Sequence, residues 1–130
     1  MKNSYAEALA IHDHAQELAE QTGDPETELL VRGSVPTGIY EHFKSAPDNR
    51  KYYAVEEVGR DVDDGLYRVS YRALYGKYRG MLAFRELVGV EKGFLMPIDR
   101  PEISYSGPRF VLIRRCPREM LSEISREYMK

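Results

Sequence analysis

Leu66-Tyr67-Arg68-Val69-Ser70-Tyr71-Arg72-Ala73-Leu74-Tyr75 is the stretch that settles how this chain folds. Tyr67, Val69, Tyr71, Ala73 and Tyr75 recur at every second position, which places them on one face of a strand and Leu66, Arg68, Ser70, Arg72 and Leu74 on the other. The tyrosine side reads as the core face. Upstream, Tyr52-Tyr53-Ala54-Val55-Glu56-Glu57-Val58 reads as a partner strand. Between them Asp61-Val62-Asp63-Asp64-Gly65 reads as a solvated turn, because Asp-Gly favours left-handed turn conformations. The turn lacks the distal Glu and the spacing of a helix-loop-helix calcium site. The two strands make a hairpin, the nucleus of an antiparallel sheet.

Outward from that hairpin, short apolar runs separated by Gly, Pro, Asp and Asn continue the β pattern from Leu29 to Arg115. Leu29–Arg32, Ile39–Phe43 and Arg109–Arg114 are the further expected strands. Residues 81–107, interrupted by Gly89, Gly93, Pro97 and Pro101, are expected to wrap the sheet as loops and short strands. At the start, Ser4 and Glu7 form a capping box ahead of a broad apolar stripe through Tyr5, Ala8, Leu9, Ile11, Ala15, Leu18 and Ala19. A helix over residues 5–21 follows, with Gly23 and Asp24-Pro25 as its stop. Such a stripe has to cover the sheet or a second copy of the chain. After Cys116, Pro117 at a first helical position and the stripe Met120, Leu121, Ile124, Tyr128 predict a short final helix.

These pieces make one domain over residues 1–130: helix and connection in 1–28, β domain in 29–115, final helix in 116–130. The expected fold class is α+β, a small curled antiparallel sheet or SH3-like barrel flanked by the two helices. With 130 residues and 42% apolar content the chain supports one core. No segment approaches the roughly 18 uninterrupted apolar residues of a membrane span, and the first residues lack the apolar core of an export signal. Cys116 is the only cysteine, which excludes an internal disulfide framework and a cysteine-rich zinc site. A cytoplasmic protein with no membrane partner is the expectation.

The net charge of −2 hides an uneven distribution. Residues 1–31 carry seven acids against one Lys, whereas residues 65–85 carry five cations and no acid. In that basic run Tyr67, Tyr71, Tyr75, Tyr78 and Phe84 interleave with Arg68, Arg72, Lys77, Arg79 and Arg85. Aromatic faces stack on bases while cations meet phosphates, so the composition suits a nucleotide or single-strand surface. It suits still better a tyrosine core whose strand edges are kept soluble by arginine.

Gly38-Ile39-Tyr40-Glu41-His42-Phe43-Lys44, Tyr71-Arg72-Ala73-Leu74-Tyr75-Gly76, Arg85 and Pro108-Arg109-Phe110 together resemble a short bacterial family, the domain of unknown function number 1653. The resemblance covers about residues 35–113. It implies a small all-β module and no assigned reaction. The chain departs from the family pattern at Met81–Glu86, where members carry a Leu-Trp-Val-Arg-Pro-like run, and in a longer stretch over 88–104.

His12 and His14, two apart on a helix, face nearly opposite sides and cannot share a metal. His12 reads as a packing residue and His14 as a solvated one. Single glycines around Lys77 and Arg79 make neither a Walker loop nor a dinucleotide fingerprint. Cys116, among Arg114, Arg115 and Arg118, reads as packing or capping. No catalytic constellation, metal site or cofactor is expected. The ligand-binding candidates are Tyr40, His42, Arg72, Arg79, Arg85 and Arg109, expected to converge on an anionic small molecule, a nucleic acid or an acidic peptide. Two other readings stand beside this one: an enzyme using His42 as acid or base with arginine clamps, and an assembly module, a homo-oligomer formed through the helices.

Overall fold

A computed structural model describes residues 4–21 and 24–129 of the chain, so Gly23, the expected helix stop, lies outside the described residues. Helix α1 spans Tyr5–Glu20, and its capping box closes as expected, with Glu7 N donating to Ser4 Oγ at 3.1 Å and Ser4 N donating to Glu7 Oε1 at 2.9 Å. The buried stripe is Ala8, His12 and Ala15, while Ile11, expected inside, is half exposed. His12 sets that rotation. Its Nε2 accepts the Gly89 N–H at 3.2 Å and its Nδ1 faces Asp13 Oδ1 at 3.0 Å, so the ring ties α1 to the loop that crosses the sheet. His12→Leu keeps the bulk but leaves Gly89 N–H without its acceptor, an expected loss of about 1–3 kcal/mol read from urea midpoints. A change under about 0.5 kcal/mol, within the range of ordinary surface substitutions, would show that water takes over the acceptor role.

The expected strand Leu29–Arg32 is instead the end of a second helix, α2, Pro25–Arg32. Asp24 caps it, accepting from Glu26 N at 3.1 Å and from the Thr27 hydroxyl at 2.9 Å, and Pro25 occupies the first turn, where a missing N–H costs nothing. Asp24-Pro25 is therefore a helix start, and α1 has already ended at Glu20 with Gln21 as its cap. Only Val31 and Thr27 of α2 are buried; Leu29 and Leu30 face outward.

Five antiparallel strands make the sheet: β1 Gly38–His42, β2 Tyr52–Arg60, β3 Tyr67–Ala73, β4 Leu82–Glu86 and β7 Phe110–Arg115, in the order β4-β3-β2-β1-β7. A separate two-stranded ribbon pairs β5 Ile98–Arg100 with β6 Tyr105–Gly107. The sheet is open, with β4 and β7 as its two edges, so of the two forms expected the chain takes the sheet and not the closed barrel. In β2 the register shifts between Val55 and Glu57, leaving Glu56 as an extra residue. This bulge is why Val55 and Val58, three apart, both point inward, against Tyr71 and Val69 of β3. At the junction of β1 and β7 the backbones approach so closely that a Cβ on Gly38 would stand 2.2 Å from Arg114 O.

Both faces of the sheet are covered. On one, the tyrosine side of β3 packs with Tyr40, Val55, Val58, Phe94 and Phe110 beneath α1, α2 and the loop after β4, with Leu87 and Val31 fully enclosed. On the other, helix α3, Arg118–Ser125, lays Leu121 and Ile124 on Ile39, Ala54 and Leu74, with Cys116 buried among them. Pro117 stands one residue earlier than expected, at the cap of α3, and Met120 turns out to solvent. Burial raises the Cys116 thiol, so it packs rather than reacts. No helix among the described residues is long and apolar enough to cross a membrane.

Candidate functional site

Strand parity decides which candidate residues meet. Tyr40 and His42 alternate on β1, and the pairings Tyr40 with Tyr53, Val55 with Tyr71 and Val69 with Arg85 put Tyr53, Tyr71 and Arg85 on that same face. His42 also pairs with Phe110 across β7. Arg109 stands immediately before that strand. His42, Arg85 and Arg109, drawn from three separate motifs, therefore converge at one end of the face that carries the tyrosine core.

Arg72 does not join them. It projects from the opposite face, where its Nε donates to Glu56 Oε2 at 2.9 Å and its Nη1 to Gly80 O at 2.8 Å, a structural clamp on the bulge and on the turn after β3. Arg79 lies exposed in that turn and is not among the cations acting on His42. Tyr40 is on the right face but belongs to the core, 5% exposed, with its hydroxyl donating to Pro36 O at 2.7 Å; burial raises its phenol further. The structure adds residues that sequence reasoning passed over: Phe43, Lys44 and Lys51, brought beside His42 by the reversal between β1 and β2, and Arg100 from the β5–β6 ribbon.

The walls of the site are aromatic. The His42 ring lies 4.5 Å from Phe43 and 5.2 Å from Phe110 between centroids, and Phe110 is flanked by Tyr53 at 5.3 Å. Over these rings sit cations: Arg85 over Phe110 at 5.7 Å, Lys51 over Tyr75 at 4.7 Å, Lys44 and Arg100 over Phe43 at 5.8 and 5.9 Å. Tyr53 and Tyr75 share a hydroxyl hydrogen bond of 2.6 Å at the edge.

Its electrostatics are one-sided. Among the described residues no carboxylate lies within ion-pair reach of Lys44, Lys51, Arg85 or Arg109, although nine arginine–carboxylate pairs form, among them Arg50 with Glu41 and, at the rim of the site itself, Arg100 with Glu102. The two guanidiniums spend one donor each on the loop after β4, Arg85 Nη1 on Lys92 O at 2.8 Å and Arg109 Nη2 on Glu91 O. Their Nε atoms are buried and have no hydrogen-bond partner among the described residues. That loop is tightly made: Glu91 has φ 76, and a Cβ on Gly93 would meet Gly89 N at 2.5 Å.

Burial, and behind it the charges of Arg109, Lys44, Arg85 and Lys51, lowers the His42 imidazole from 6.5 to about 4. It is neutral at pH 7. Nδ1 accepts Lys44 N–H at 3.1 Å, which puts the proton on Nε2 and leaves that nitrogen a donor. Burial likewise lowers Arg109, with Arg85 and Arg100 adding to the effect. Because the folded His42 value lies below the ordinary one, its contribution to stability is intact above pH 6.5 and is lost as pH falls toward about 4. His42→Asn, which keeps an acceptor for Lys44 N–H, should flatten that part of the acid limb of a stability profile. Identical slopes in the two proteins between pH 7 and pH 4 would contradict the assignment.

The acidic turn is exposed, as expected, and its carboxylates are answered within the hairpin. Asp61 Oδ1 accepts Asp63 N at 2.8 Å, Asp64 Oδ1 accepts Leu66 N at 2.9 Å, and Arg68 pairs with both carboxylates. Among the described residues no group of three or more His, Cys, Asp or Glu side chains could hold a metal ion. The chain matches no protein-family model, no curated protein and no solved structure. Its function has to be argued from the geometry.

Proposed function

We propose that this face is the ligand surface of a non-enzymatic binding or accessory module, recognising the phosphate of a nucleotide, or of a single-stranded nucleic acid as the longer form of the same chemistry. The observation that carries the reading is the gathering of Lys44, Lys51, Arg85 and Arg109 without an acidic partner, two of them with an unpaired buried Nε. Four cations held together by the fold repel one another and are partly desolvated, a cost that an anion relieves. The arginine forks match phosphate oxygens, the neutral His42 Nε2–H adds a further donor, and the half-buried rings of Phe43 and Tyr75 are the aromatic groups within reach of a base.

An acid–base enzyme is the weaker reading. Among the described residues no carboxylate or hydroxyl is hydrogen-bonded to His42 Nε2, and an imidazole held near 4 is a poor base at neutral pH. The resemblance to the domain of unknown function number 1653, and residence in a bacterial cytoplasm, belong to the same proposal. In its favour, His42, Arg85 and Arg109 come from three of the segments that carry the resemblance. Titration with a nucleotide panel and a mixed oligonucleotide, at low and at moderate salt, is the test. Binding that weakens as salt rises is expected. No binding at low salt, where attraction is strongest, would remove the phosphate reading and leave an acidic peptide as the anion to try.

A further inference from the structure

The opposite face of the sheet carries a second opening, independent of the site above. Helix α3 touches the sheet through Leu121 and Ile124, and between its other side and the turn after β3 it leaves a cavity of about 420 Å³. The volume falls in the range of small-molecule sites. Arg118 and Ser122 of α3 and Arg126, its C-cap residue in helical conformation, follow one another at intervals of four and line the same cavity. Arg72 faces them from the sheet, its Nε and Nη1 fixed by Glu56 and Gly80 O. Leu74, Leu121 and Met129 supply the apolar part of the lining.

Charge decides the kind of ligand. Glu56 answers Arg72 and Glu57 answers Arg118, at 2.8 Å, which leaves Arg126 as the one cation of the three without a carboxylate among the described residues. A dianion would meet Glu56 at close quarters, whereas a single carboxylate is matched to one remaining guanidinium. We infer that this groove binds an organic monocarboxylate with an apolar body, its head against Arg126 and the Ser122 hydroxyl and its body against Leu74, Leu121 and Met129.

The test uses octanoate, butanoate and octanamide, each below any micelle-forming concentration, titrated into the whole protein and followed by amide chemical shifts. Octanoate should move the Leu74, Ser122 and Arg126 amides and bind more tightly than butanoate, by about two- to fourfold for each added methylene. Octanamide should bind at least roughly tenfold more weakly, since it cannot form the charged pair. Arg126→Gln should weaken octanoate about tenfold, and Ser122→Trp, a bulky residue on an exposed helix position, should abolish it while leaving the His42 face unchanged. Shifts scattered away from these residues, an amide that binds as well as the acid, or undiminished binding to Ser122→Trp would overturn the inference. None of these outcomes bears on the phosphate reading of the other face.

Discussion

Truncating Phe94 to Ala will destabilise the protein by about 3–5 kcal/mol, the range seen when a fully enclosed aromatic is lost from a core. Phe94 is 2% exposed, stacks on Phe110 with centroids 4.4 Å apart and planes 8° apart, and meets Tyr40 edge-on at 5.5 Å. Stacked and edge-on pairs add to the burial itself. For a domain of this size the loss amounts to a fall of about 10–20 °C in Tm. Phe94→Leu, which refills most of the space, should recover the greater part. A loss below about 1 kcal/mol for the Ala variant would mean that the loop bearing Phe94 lies on the sheet without being part of its core. The consequence reaches the ligand surface, because Phe110 is at once the platform beneath Arg85 and the ring on which Phe94 rests. Stability and ligand affinity should therefore fall together in Phe94→Ala.

That coupling explains which parts of the fold the sequence could reveal. The alternation from Leu66 to Tyr75 placed the hairpin and its core face correctly, since Tyr67 and Val69 are buried and Arg68 and Arg72 look the other way. It is a local signal, two residues long, and needs no tertiary information. The run Leu29-Leu30-Val31 misled because an apolar triplet suits a strand or a helix equally. Asp24-Pro25 holds the deciding signal, but the same pair reads equally as a helix stop and as a cap followed by proline that opens one. The bulge at Glu56 was hidden too, because only the partner strand shows where an extra residue falls.

The site was half legible for the same reason. His42, Arg85 and Arg109 each stood in or beside a recognisable segment, whereas the exclusion of Arg72 required only parity: it neighbours Tyr71, a core-face residue, and so must point away from the face that His42 shares with Tyr40. Lys44, Lys51 and Arg100 were out of reach, because a chain reversal and a separate ribbon deliver them. Pairing with acids cannot be read from sequence at all. Among the described residues Arg60, Lys77, Arg79, Lys92, Arg115 and Arg126 also pair with no carboxylate, so what sets Lys44, Lys51, Arg85 and Arg109 apart is that the fold gathers them around one imidazole.

Replacing Arg85 or Arg109 by Met will weaken phosphate binding by about 10- to 100-fold each, the scale of a lost hydrogen bond to a charged group. Met keeps an unbranched apolar side chain of similar length and removes the fork, which for Arg85 is the group over Phe110, so the stability change has to be read beside the affinity change. Each guanidinium also holds one carbonyl of the loop after β4, at Lys92 and at Glu91, so each variant should lose a little stability, and affinities have to be compared well below the melting transition. Arg72→Met is the internal control: that side chain lies on the opposite face, paired with Glu56, and its loss should leave phosphate affinity unchanged. For an oligonucleotide the salt dependence separates contact from general attraction, since each phosphate contact removed lowers the slope of log K against log salt by about one. Arg85→Met and Arg109→Met should each show that decrease, and the double variant about twice it. If all three single variants lose affinity alike, the attraction is a diffuse field of the whole basic segment and not a site. If Arg72→Met alone loses it, the ligand lies on the face beneath α3, and the cluster around His42 serves only to hold the loop.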